Sequence, residues 1–170
     1  MITAVTVQHY EYATNRSFEE VVSAFESATG SVEKGELNAA IREATSLSEF
    51  ETKVRSFEGE SGFMRFMTAD HAGWLRHFGV KAKARTYTLG NPLIAWSMMK
   101  YDRGAGLNVP IRLMIYEDSS HKVRLVYDLP SSLMSCLGNE ELLAAAGKLD
   151  EKLRLLAERS TAAKENFGFL

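Results

Sequence analysis

The chain opens on an alternating segment. From Thr3 to Tyr12, Val5 and Val7 share one face of a stretch rich in β-branched and aromatic residues, which predicts a strand. The period then changes. Ser17 and Glu20 have the spacing of a capping box, and Phe18, Val21, Val22, Phe25 and Ala28 follow at helical intervals. Gly30 reads as the left-handed stop of that helix. Residues 31–58 carry two further amphipathic runs. Leu37, Ala40, Ile41 and Ala44 mark the first, and Phe50, Val54 and Phe57 mark the second, behind a Ser46–Glu49 capping box.

Strand and helix patterns interleave after that. SGFMRFMTA (61–69) predicts a strand, Asp70 caps a short helix through Trp74, Leu75 and Phe78, and residues 83–89 predict the next strand. Asn91 to Tyr101 predicts a helix entered through Gly90-Asn91-Pro92. The asparagine suits the N-cap and the proline suits the first helical position. Two alternating runs, 111–116 and 122–128, are joined by Glu117-Asp118-Ser119-Ser120-His121 as a hairpin. A last helix starts at Asn139, with Leu142, Leu149, Leu153 and Leu156 as its buried stripe, and a frayed tail is expected over 161–170. Together these elements predict a single α+β domain over 1–160. It has one twisted, largely antiparallel or mixed sheet with helices mainly on one face, and residues 31–58 as a helical insertion and candidate lid.

Three stretches support a resemblance: KARTYTLGNPLIAWSMM, RGAGLNVPIRLMIYED and VRLVYDLPSSL. They resemble the family known as domain of unknown function 302 (DUF302), best over residues 60–157. The resemblance implies an α+β fold that tends to dimerise, and it carries no catalytic residue across.

Composition narrows the function classes. The 170 residues carry a net charge of −2, short of the basic excess that non-specific nucleic-acid binding needs. No run approaches the roughly 18 apolar residues of a membrane span. The N-terminus shows no basic segment followed by an apolar one, and the single cysteine, Cys136, fits a reducing compartment, so a cytoplasmic protein is expected. The four histidines (9, 71, 77 and 121) are scattered, so neither a metal site nor a cofactor is expected. Cys136, among Leu133, Met134 and Leu137, is expected to be packed, and Ser131 and Ser132 read as a helix cap.

The candidate chemistry is sparse. Arg65, Arg85, Arg112 and Arg124 each lie on a predicted strand. If their faces agree, they make a seat for an anionic ligand; otherwise they belong to a solvated face. Asn91 heads a helix whose first N–H groups could hold an anion, although one loop glycine is too few for a phosphate cradle. Asp70 and His71 stand at a strand-to-helix junction and Tyr127 at a strand end, the polar groups available for acid/base work. The helix from Asn91 is apolar nearly all round, which predicts core packing plus a homodimer contact through Trp96, Met98 and Met99. Three readings stand: a homodimeric module binding a small anionic or amphipathic ligand, which leads; an enzyme using strand-end polar groups; and a domain that only associates with itself.

Overall fold

The structure is a computed structural model describing residues 2–162. Six strands form one mixed sheet in the order β1-β6-β5-β4-β3-β2. They are β1 (His9–Thr14), β2 (Gly30–Ser31), β3 (Met64–Asp70), β4 (Ala84–Gly90), β5 (Ile111–Glu117) and β6 (Val123–Asp128). Neighbours are antiparallel except β2, which runs parallel to β3. The helices are α1 (Phe18–Ala28), α2 (Glu36–Glu43), α3 (Leu47–Ser56), α4 (Ala72–Leu75), α5 (Pro92–Met99), α6 (Pro130–Leu133) and α7 (Glu140–Thr161). This is the expected α+β domain.

Strand alternation builds the core. Leu113 and Ile115 of β5, Leu125 and Tyr127 of β6, and Tyr87 and Leu89 of β4 are buried with Val21 and Phe25 of α1 and the leucine stripe of α7. Each such side chain taken out of water contributes about 1.5–3 kcal/mol. Among the described residues the other sheet face is left largely bare, with only His71 and Trp74 at the start of α4 reaching it at Thr86. It presents Glu11, Arg124, Arg112, Met114, Thr86 and Thr88, as a half-exposed antiparallel sheet should. A second small cluster of Val32, Val54 and Met64 ties α3 to the β2–β3 edge.

Several elements differ from expectation. The first strand begins at His9, because β6 offers partners only from Val123 to Asp128. Val7 lies beyond them and is exposed, so β propensity without a partner strand makes no strand. Gly30 is no left-handed stop. A Cβ there would fall on the Phe57 carbonyl oxygen, so the glycine permits a close crossing of backbones. Ser46 accepts the Glu49 N–H, yet the Glu49 carboxylate turns back to Thr45, which leaves half a capping box. Cys136 is exposed, since its short 3₁₀ turn lies on the surface while Met134 takes the buried place. Neither serine caps α6: Ser131 gives its N–H to Asp150, and Ser132 bonds Leu129 and Gln8. α7 continues to Thr161, and residues 163–170 of the expected tail lie outside the described residues. Among the described residues, no helix is long and apolar enough to cross a membrane, and no cluster of potential metal ligands occurs.

Candidate functional site

Strand β4 ends at Gly90, and the chain turns into α5 through Asn91. Asn91 is extended at φ −158°, and its Oδ1 accepts the Leu93 N–H at 2.8 Å. Pro92 follows without an N–H to satisfy. The asparagine does more than cap. It is only 5% exposed, and its Nδ2 donates to Glu58 Oε1 at 2.7 Å and to the Gly62 carbonyl at 2.9 Å. Its amide is therefore committed within the protein, and it supports the site rather than offering itself to a ligand.

Two hollows flank this turn. One is an apolar cavity of about 170 Å³, partly open to solvent, bounded by Phe66, Gly90, Ile94, Met99, Pro110 and Leu149. No residue lining it has a titratable side chain. Gly90-Asn91-Pro92 and Val109-Pro110-Ile111, distant in sequence, meet in its wall. The other is a cleft of about 320 Å³ between α3, α5 and α7. It shares Asn91, Ile94 and Leu149 with the cavity and adds Arg55, Lys148, Lys152 and Glu58. Among the described residues the three cations have no ion-pair partner, and the one carboxylate is held by Asn91. Such a cleft favours an anion. Lys148 and Lys152 stand one helical turn apart around Leu149, a pattern visible in the sequence. Their meeting with Arg55 depends on tertiary packing and was missed.

The four strand arginines do not converge. Arg85 shares the helix-covered face with Tyr87, and Arg65 reaches that same side. Both close on the end of α1: Arg65 donates to the Glu26 carbonyl at 2.8 Å and to Thr29 Oγ1 at 2.6 Å, and Arg85 pairs with the Glu26 carboxylate at 3.2 Å. Cations at a helix C-terminus are favourable, so this pair is spent on structure. Arg112 and Arg124 lie on the bare face, where Arg124 is bound by Asp118 at 2.7 Å and by Glu11. Arg112 is exposed and shares a small hollow of about 80 Å³ with Asp128.

The acid/base candidates are also separated. Asp70 pairs with Arg85 at 3.5 Å and accepts the Ala72 N–H, on the helix side of the sheet. His71 turns the other way, to Thr86 at 2.9 Å and to the Trp74 indole N–H at 3.2 Å. With Trp74 donating to Nδ1, the neutral ring carries its proton on Nε2. Tyr127 lies three strands from β3, about 14 Å. It is buried and stacked between Tyr10 and Tyr12, and burial together with the Tyr12 hydroxyl pushes its pKa far above the ordinary phenol range. Burial and the Glu26 carboxylate do the same to Tyr87. Both phenols stay neutral and are poor proton donors.

Of the expected interface residues, Met98 is fully buried in the core, Met99 is half-buried along the cavity, and Trp96 is 64% exposed. α5 is thus not buried all round. It has eight residues and packs along α7 and the 3₁₀ turn at Arg103–Leu107, with a smaller contact to α3, which leaves Trp96 facing out.

The model for "Domain of unknown function DUF302" matches residues 39–159, which include both motif segments around the cavity. The chain belongs to the DUF302 family. Its fold is also that of a solved structure, an uncharacterized conserved DUF302 protein from Bacillus stearothermophilus. The two superpose with a TM-score of 0.62 at 14% identity, over 89% of this chain and 97% of the other. No curated protein matches this DUF302 chain.

Proposed function

We propose that this DUF302 chain is a binding module for a small amphipathic anion, with the apolar part in the cavity and the charge in the neighbouring cleft. One observation carries the reading: two segments far apart in sequence meet to line a cavity that has no titratable group, beside a cleft holding three cations that have no ion-pair partner among the described residues. A cavity without an acid or base is suited to holding a molecule rather than transforming it. The separation of Asp70, His71 and Tyr127 weighs the same way.

Self-association is the second part of the proposal. Met67, Trp74, Phe78 and Val80 are all exposed, and together with Trp96 they offer apolar surface for a second copy. Native mass spectrometry of protein purified from its own cells tests both parts. The expected result is a dimer carrying extra mass that is lost on denaturation. A monomer of bare mass, with no binding of amphipathic anions added back, would overturn both.

A further inference from the structure

We infer that the cavity selects an apolar group the size of one six-membered ring, and that Gly90 and Phe66 together set this limit. The inference rests on the binding function proposed above and adds a size class to it. The volume, about 170 Å³, is close to that of an engineered apolar cavity of about 150 Å³ that admits benzene.

The limit is set by particular atoms. A Cβ on Gly90 would stand 3.1 Å from Phe66 Cε2 and 3.4 Å from Pro110 Cβ, so the missing side chain at 90 is part of the space. Gly90 lies in regular strand, paired with Met64, and its φ is not in the left-handed region. Alanine is therefore compatible with the backbone, and glycine there keeps volume open rather than relieving strain. Phe66 faces it. A register shift between Arg65 and Met67 frees the Phe66 ring from the ordinary alternation of β3 and lets it form the opposite wall. Phe66 is half-buried, so a shorter side chain there widens the cavity on its solvent side.

The test is a chemical-shift titration of the ¹⁵N-labelled chain with benzene and with naphthalene, for the wild type, Gly90→Ala and Phe66→Leu. Wild type is expected to take benzene in preference to naphthalene. Gly90→Ala is expected to lose benzene affinity by at least about tenfold, the scale on which an extra methyl overfills a packed site. Phe66→Leu is expected to gain naphthalene by a similar factor, and it carries the test alone if the alanine variant fails to fold. Benzene that causes no shifts at cavity residues of the folded wild type overturns the binding reading together with the size limit. Benzene binding whose preference over naphthalene neither variant alters overturns the size limit alone.

Discussion

Asn91 shows how far a local motif can be read. Its cap bond spans two residues and follows from residue type, whereas its bonds to Gly62 and Glu58 span 29 and 33 residues and depend on the fold. The larger set governs its energetics. Losing a cap alone costs about 1 kcal/mol. Losing the donors to a part-buried carbonyl and a carboxylate adds about 1–3 kcal/mol. Asn91→Ala is therefore expected to lower unfolding free energy by about 2–4 kcal/mol in urea melts, and a value near 1 would show that only the cap matters. Asp150 is a second residue whose setting was not legible. It sits on α7, half-buried, with Ser131 N–H as its donor at 3.1 Å, and burial raises its pKa. Its folded pKa lies above the unfolded value near 3.9, so the native state holds the proton to higher pH. Its contribution to stability then falls as pH rises from about 4 through the folded pKa. Asp150→Asn keeps the acceptor and removes the charge. Its urea midpoint relative to wild type should improve as pH rises from about 4 through the folded pKa and then level off, and an offset that does not change with pH would sink this account.

Elements are legible when their partners are near in sequence and obscure when they depend on register. The parity of β4 already places Arg85 with Tyr87 and Leu89, on the apolar face, so its absence from a common arginine face was readable in principle. Arg65 was not, because the shift between Arg65 and Met67 breaks the alternation from which a face is read. α5 misled for a different reason. A helix apolar all round predicts burial, but a short helix at the end of a sheet has too few neighbours to cover every side. Gly30 looked like a helix stop and is instead, together with Gly59, a point of contact between two elements. A Cβ on Gly59 would overlap backbone atoms of Ala28 and Thr29, which no side-chain adjustment relieves. Gly59→Ala is expected to cost about 3 kcal/mol or more, at the upper end of overpacking, and to expose the amides of β2 to hydrogen exchange first. A variant as stable as wild type would mean that the crossing relaxes freely.

At the scale of the molecule, the question is whether a chain of net charge −2 can attract an anion. The overall field works against it, so any attraction must be local, and the structure offers one local source: Arg55, Lys148 and Lys152, partly offset by Glu58. Exposed charges contribute at most about 1 kcal/mol apiece, so together they should favour a charged ligand over its neutral analogue by roughly tenfold. That preference must be sensitive to salt. The Debye length falls from about 30 Å at 0.01 M to about 3 Å at 1 M, which screens exposed cations and leaves the apolar cavity untouched. Benzoate and benzamide make the comparison, with a ring of one size and only one of them charged. Benzoate is expected to bind more tightly at low salt, and the two should converge at high salt. Lys148→Gln with Lys152→Gln should remove most of the difference while leaving benzamide affinity unchanged. Arg112→Gln, across the sheet on the bare face, should change neither. If the double lysine variant leaves the benzoate preference intact and Arg112→Gln abolishes it, the anion seat lies on the sheet face after all, and the cleft between α3, α5 and α7 is only a gap between helices.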